Sequence, residues 1–413
     1  MKLLTFLGVG KYEETEYVWQ GKNQITRYAP VASAAFLQAS EMVIFATEEA
    51  EAQHKDSLEV SLKESLGDQV NIPLQYIRIE KGETEAELWN IFSQVACAVE
   101  RGENIAFDVT HGLRSFPLLG LLAAAYLRTA LDVKLAAVLY GAYDVRNQNV
   151  NPHRTPMFDL TPLLSLLEWA MAADRFNRTG DSRGLASLLR AAEKSPSRKQ
   201  RGAASAPSNQ VEALAVSLEN ISHSLNLLRP YQVMQEVSAL PKAIDEALPL
   251  LSQYDVTLPF RLLLETTQQA YQNLALPDPQ QDARENLEIQ RRLIGWYAER
   301  EHWMQAISLT REWLLSYVMV HEGVYDISDT EKRKRFENRI NDEADAMIKQ
   351  KDEYKPYCLS SVPDVKKVLG IWKGIVDVRN DIDHAGMRKN PEKPASLIKS
   401  IKKYVEKINA MPL

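Results

Sequence analysis

Cysteine is nearly absent: 413 residues hold two, Cys97 and Cys358, in unrelated segments. That leaves no disulfide framework and no cysteine-based zinc site, and it fits a reduced, cytoplasmic setting. His54, His153, His223, His302 and His321 have no metal-ligand spacing among them and read as structural or exposed, so no metal is implied. No apolar run reaches the roughly eighteen residues of a membrane-spanning helix. The first residues, Met1-Lys2-Leu3-Leu4, run straight into a strand pattern and lack a signal peptide's long apolar region and cleavage site. Positive charge is also missing overall, with a formal net charge of −6. Proteins that coat nucleic acid without specificity rely on many Lys/Arg–phosphate contacts, so that class is excluded, whereas an enzyme holding a short RNA in a local basic cleft is not. Finally, Gly8-Val9-Gly10 is followed by Glu13 where a G-x-G-x-x-G fingerprint needs glycine, which disfavours a nicotinamide-dependent oxidoreductase.

What is present is an alternation. Apolar runs of strand length at Lys2–Leu7, Met42–Ala46, Ile72–Ile79, Asn104–Phe107 and Val133–Tyr140 are separated by helical patterns near Ala29–Ala39, Glu48–Leu66, Thr84–Val99 and Phe116–Ala130. This predicts an α/β, Rossmann-like amino-terminal domain with a mostly parallel sheet covered on both faces, over residues 1–165. Thr161-Pro162 reads as an N-cap and first helical position, opening a helical connector and linker over 166–210. Residues 195–207 are small, polar and proline-containing, as a linker would be. Beyond them, 211–413 reads as all-α, with stripes such as Val211, Leu214, Leu218, Ile221, Leu225 and Leu228. Arg311, within the stripe Ala306–Val320, is expected to pair with a nearby acid on a helix surface.

In open parallel sheets ligands bind beyond the carboxyl ends of the strands, and two stretches occupy that address. The first is Gly8-Val9-Gly10-Lys11-Tyr12, a tight turn or a ligand loop; in the second case Lys11 offers a charge and Tyr12 a stacking face. The other is Asp108-Val109-Thr110-His111-Gly112-Leu113-Arg114, where the fourth strand ends and a helix with Pro117 in its first turn begins. Backbone N–H groups at such a start favour anions. Thr110 adds a hydroxyl, His111 a donor or acceptor, Gly112 close backbone approach and Arg114 a phosphate partner. Asp108 would repel a phosphate, so its expected role is structural, orienting Thr110, His111 or a loop amide.

At the other end, Val365, Val368, Leu369, Trp372, Ile375 and Val376 form one helical face, and the next position on it is Arg379. Asn380 and His384 lie four apart, one turn above the other, and Gly386 offers a helix stop. Arginine can neutralise a phosphate, histidine can move a ribose or leaving-group proton near neutral pH, and asparagine can orient either. The segment from Asp364 to Leu413 carries eleven Lys/Arg against six Asp/Glu, either a solvated helix face or an RNA approach surface.

With a D-x-T-H-G turn on a Rossmann-like domain and R-N-x-x-x-H near the carboxyl end, the chain resembles the CRISPR-associated CARF–HEPN ribonucleases of the DxTHG-motif family. The resemblance implies a sensor domain that binds cyclic oligoadenylate as allosteric activator across a dimer two-fold. It also implies a carboxyl-terminal HEPN domain that cuts single-stranded RNA without a metal or cofactor, leaving 2′,3′-cyclic phosphates. Carried over by position, Asp108, Thr110, His111 and Gly112 match the sensor motif, Gly8 and Gly10 more loosely the first-strand loop, and Arg379, Asn380 and His384 the nuclease motif. The partners implied are single-stranded RNA, cyclic oligoadenylate and a second copy of the chain, as a homodimer or a higher oligomer, and neither DNA nor membrane. Two other readings use the same motifs: a sensor that binds or cleaves the ring without RNase output, and a HEPN toxin controlled by a protein partner.

Overall fold

The computed structural model describes residues 1–67, 72–112, 115–193, 208–251, 257–350, 353–387 and 389–413; the expected linker at 195–207 and Arg114 lie outside them. The chain divides into two compact units, Met1–Leu167 and Glu168–Leu413.

The first unit is built outward from β1 (Lys2–Leu7), in which every residue after Lys2 is buried. A run this uniformly apolar suits a strand covered on both faces. It pairs in parallel with β4 (Glu41–Ala46) on one side and β6 (Asn104–Asp108) on the other. Further out, β5 (Leu74–Arg78) joins β4 and β7 (Lys134–Gly141) joins β6, again in parallel. Helices α1 (Ala29–Leu37), α2 (Glu48–Leu66), α3 (Glu85–Cys97) and α4 (Ser115–Ala130) lie between these strands in sequence, as the alternation predicts. Thr47 and Thr84 cap α2 and α3, their hydroxyls accepting from the amides of Ala50 and Glu87 at 3.2 Å. One layer of core holds Phe6, Phe45, Phe107 and Phe116, the opposite layer Leu3, Leu7, Tyr28 and Ile44.

Three strands go beyond the sequence reading. The hairpin β2 (Thr15–Trp19) and β3 (Lys22–Thr26), with β8 (Arg154–Asp159), extends the sheet to the order β3-β2-β8-β7-β6-β1-β4-β5. Its turn places Gln20 at φ 49° and Gly21 at φ 79°, a primed hairpin turn made without the usual Asn-Gly. Thr161 is the first residue of its helix, α5 (Thr161–Thr179), rather than its cap. The Asp159 carboxylate accepts from the Thr161 amide at 2.9 Å, and the Thr161 hydroxyl accepts from the Val138 amide at 2.9 Å.

The second unit is helical: the rest of α5, then α6 (Arg183–Glu193), α7 (Asn209–Asn226), α8 (Pro230–Leu251), α9 (Thr257–Tyr271), α10 (Ala283–Glu299), α11 (Trp303–His321), α12 (Thr330–Gln350), α13 (Val365–Asp383) and α14 (Pro394–Asn409). Trp169, Phe176, Leu185 and Leu189, from the stretch expected to connect the domains, are buried in its core. Phe176 stacks on Tyr271 with centroids 4.6 Å apart. Helix α11 is buried almost all round and packs against α10, α12, α13 and α14. Arg311 on it is bound to Glu312 at 2.5 Å and to Glu337, with its guanidinium 5.1 Å from the centre of the Trp372 ring. No helix among the described residues is long and apolar enough to cross a membrane.

Trp372 seats α13 in this core: its side chain is 1% exposed and its Nε1 donates to Asn341 at 2.9 Å. Trp372→Ala removes a large buried ring and leaves a cavity, and should cost about 3–5 kcal/mol. Urea denaturation of the variant against the parent measures that loss directly.

Candidate functional site

Strand order reverses between β1 and β6, so the loops that follow them meet at the switch point of the sheet. The approach is close enough to require glycine. A Cβ on Gly8 would sit 3.1 Å from the Gly112 Cα, and one on Gly112 would sit 2.7 Å from the Phe116 ring. Gly112 also has φ +110°, a left-handed conformation that disfavours any side chain. Asp108, wholly buried, holds the D-x-T-H-G turn: its carboxylate accepts from the Thr110 amide at 3.1 Å and from the Ser33 hydroxyl. Desolvation pushes its pKa up to about 6 despite those hydrogen bonds. The Thr110 hydroxyl accepts from the Gly141 amide at 2.8 Å, tying the turn to the end of β7.

Above these loops opens a cleft of about 180 Å³ whose walls include Lys11, Arg27, Thr110, Tyr17, Tyr140 and Tyr143. Two cations therefore face it, together with the carboxylates of Glu13 and Asp144. Glu13 accepts a hydrogen bond from the Tyr143 hydroxyl. His111 and Tyr12 border the cleft but are engaged with the protein in ways the sequence reading did not foresee. The His111 ring is 8% exposed, and its Nε2 accepts from the amide of Ala29, the first residue of α1, at 3.1 Å. That fixes the neutral tautomer with its proton on Nδ1. Burial, with a smaller contribution from nearby His54, pulls the His111 pKa down to about 3. Tyr12 does not present a free face for stacking. Its ring packs on His111 at 3.9 Å and on His54 at 4.7 Å between centroids. Its hydroxyl accepts from the Gly8 amide and donates to the Gly8 carbonyl, both at 2.9 Å, and burial pushes its pKa up to about 12. Lys11 and Gly10 remain exposed.

The second cluster lies at the end of α13. Val365, Val368, Leu369, Trp372 and Ile375 are buried, whereas Asn380 and His384 are exposed and Arg379 is half-buried. The His384 amide caps the helix on the Asn380 carbonyl at 3.1 Å. Ala385 at φ 51° and Gly386 at φ 67° then turn the chain, and the Gly386 amide donates to the Asp381 carbonyl at 3.1 Å. Arg379 Nε pairs with Asp383 at 3.2 Å. Among the described residues the His384 imidazole has no hydrogen-bond partner, and no group of three or more His, Cys, Asp or Glu could hold a metal ion. An arginine and an amide thus stand within two turns of an imidazole open to solvent.

Residues 2–146 match the family described as the CARF domain of the CRISPR system endoribonuclease Csx1. Residues 165–275 match a second family, the second domain of the CRISPR-associated protein MJ1674. The first unit thus carries a CARF domain over residues 2–146. The MJ1674 protein of Methanocaldococcus jannaschii is 27% identical over 171 residues, which cover 41% of this chain and 24% of that protein. The chain thus matches about a quarter of the length of that relative. Among solved structures, Enterococcus italicus Csm6 bound to cyclic hexa-2′-fluoro-hexa-dAMP aligns over 98% of this chain and 93% of its own, at 10% identity and a TM-score of 0.43.

In the CARF domain, then, Gly8, Thr110, His111 and Gly112 meet at one place, with Asp108 beneath them. Sequence reasoning missed Tyr17, Arg27, Tyr140 and Tyr143. Tyr140-Gly141 was findable, since it ends another parallel strand next to the switch point. A Cβ on Gly141 would lie 2.8 Å from Tyr17 and 3.1 Å from Thr110, so glycine is needed there as well.

The buried imidazole makes a signed prediction. With a folded pKa near 3 against about 6.5 when unfolded, His111 binds more protons in the unfolded chain across that window. Its contribution is complete above about pH 6.5 and is lost as pH falls toward 3. His111→Gln does not titrate, so its melting temperature should lie furthest below the parent's near neutrality, by the equivalent of a few kcal/mol, and converge on it in acid. Melting curves of both proteins across that range read this out.

Proposed function

We propose that the CARF domain, over residues 1–165, senses cyclic oligoadenylate and that the all-α region over 211–413 ends in a HEPN endoribonuclease domain acting in type III CRISPR defence. What carries this reading is the end of α13, where an exposed His384 stands beside Arg379 and Asn380. In the proposed reaction the ribose 2′-hydroxyl attacks the adjacent phosphorus and the 5′-oxygen leaves. The products are a 2′,3′-cyclic phosphate and a 5′-hydroxyl. His384 moves the protons, Arg379 neutralises the charge that builds on the phosphorane oxygens, and Asn380 orients imidazole or phosphate. None of these roles calls on a metal.

For the sensor, Lys11 and Arg27 supply cations for ring phosphates. Gly8 and Gly112 act by letting the two loops pack together, and Gly10 leaves the exposed backbone beside Lys11 open to the ring. Thr110 and His111 act through the wall they form. Glu13 and Asp144 repel phosphate, which favours seating the ring on the Lys11–Arg27 side. Homodimerisation is supported by Leu118, Leu122 and Tyr126, an i, i+4, i+8 stripe on α4 that is 62%, 50% and 53% exposed. Because α4 starts just after the D-x-T-H-G loop, pairing along that stripe would put both loops on one interface. Activation from about 1:99 to 99:1 needs about 5.5 kcal/mol of differential affinity. A ring with several phosphates and adenines suits that requirement better than a single small anion.

A fluorogenic RNA assay with cyclic tetra-adenylate, cyclic hexa-adenylate or neither tests the reading. One ring should stimulate cleavage, and Arg379→Ala and His384→Ala should each lower the stimulated rate by about 10²–10⁴ while leaving ring binding intact. Absence of ring-stimulated cleavage under every condition overturns it.

A further inference from the structure

Asp381 lies inside the R-N-x-x-x-H stretch, yet nothing in the reaction above uses it. Its side chain belongs to a residue only 2% exposed, and Oδ2 accepts from the amide of Glu392 at 3.1 Å. Its backbone carbonyl accepts from Gly386 at 3.1 Å. One residue therefore closes the turn after α13 and also holds the far end of the loop that follows. The loop does fold back: a Cβ on Gly386 would lie 3.6 Å from the Pro391 side chain. Lys393 and the start of α14 are consequently held beside the turn that carries His384.

The chain as a whole is acidic, at −6, but residues 389–407 contain six lysines and two glutamates. On α14 the buried side is Ile401, Val405 and Ile408, and Lys399, Lys402 and Lys403 stand exposed away from it. Lys389 and Lys393 are exposed too. The ion pairs around them, Lys373–Asp345 and Arg379–Asp383, use other residues, and among the described residues none of these five ammonium groups is in a salt bridge. Lys402 lies 5.3 Å from the centre of the half-buried Trp303 ring, which adds an aromatic face to the row. Lys399, Lys402 and Lys403 share one helix face at i, i+3 and i+4, and such cations outside ion pairs among the described residues, with an aromatic beside them, are the elements of a single-strand binding surface.

We infer that the outer face of α14, with Lys389 and Lys393 ahead of it, forms a phosphate track that delivers single-stranded RNA to the Arg379–His384 turn, and that Asp381 is the positioning residue that holds the track's start against it. This rests on the nuclease reading for its purpose. The binding it describes can be measured without cleavage.

The test uses the full chain carrying His384→Ala, with a short fluorescein-labelled oligouridine followed by anisotropy across a salt series. Adding K399Q/K402Q/K403Q should weaken binding about tenfold and flatten the log–log salt slope by about 2, at near 0.7 for each phosphate no longer neutralised. On an active background the same three substitutions should raise KM for RNA and leave kcat within about twofold. Asp381→Ala should raise KM likewise, whereas Asp381→Asn, which keeps an oxygen to accept from Glu392, should restore it. If Asp381→Ala does not fold, the lysine variant decides alone. Unchanged affinity and slope in that variant overturn the track even if the parent cleaves RNA, and no measurable binding by the His384→Ala chain overturns it as well. Displacement of the oligouridine by polyglutamate as readily as by unlabelled RNA would assign the row to an acidic protein and overturn it too. Loss of ring-stimulated cleavage with the lysine effects intact would instead remove the nuclease reading and leave the track standing.

Discussion

A carboxylate with no access to water organises the amino-terminal unit. Asp108 ends β6 at the point where the sheet changes direction, and its oxygens are taken by Ser33 on α1 and the Thr110 amide. Burying such a group is costly unless it is hydrogen-bonded, so the turn that follows is held in the one conformation that supplies those donors. From that turn the constraint spreads. Thr110 reaches Gly141, His111 reaches the first amide of α1, and Gly112 presses against Gly8. Three separate segments are thereby fixed relative to one another by two hydrogen bonds and one close packing contact that all begin within five residues of sequence.

Much of this was legible in the chain, for physical reasons that also explain what was not. Leu3 to Leu7 and Met42 to Ala46 announce buried parallel strands because both of their faces are apolar. The hairpin Thr15–Trp19 and Lys22–Thr26 is short, half polar and turned by Gln-Gly, so neither periodicity nor a strong turn signal marks it. Tyr17, Arg27 and Tyr143 line the cleft only because the sheet order brings distant segments together. Local sequence holds no trace of that proximity. His111 was readable as a polar residue of the loop, but its partner is the amide of Ala29, 82 residues away.

The helical unit follows a plainer logic. A largely buried helix, α11, sits at its centre, and α10, α12, α13 and α14 pack against it. The stripe on α13 was readable to its last turn, but the helix stops one residue ahead of the expected glycine: Ala385 takes the left-handed φ of 51° and Gly386 follows at 67°. The expected acids of Arg311 are Glu312 and Glu337, but the pairing is not on the surface: the arginine is 13% exposed and lies over buried Trp372. The part played by Asp381 could not be read, since its bond to Glu392 spans a loop whose path only the folded chain defines.

The Arg379–Asp383 pair decides how an arriving anion would be received. Both side chains are more than a third exposed, at 35% and 40%, and an ion pair so open to water holds together by about 1 kcal/mol or less. Displacing the carboxylate would therefore hardly hinder a phosphate. What the pair does supply is a resting place: it biases a long side chain toward the helix, one turn along, without committing it there.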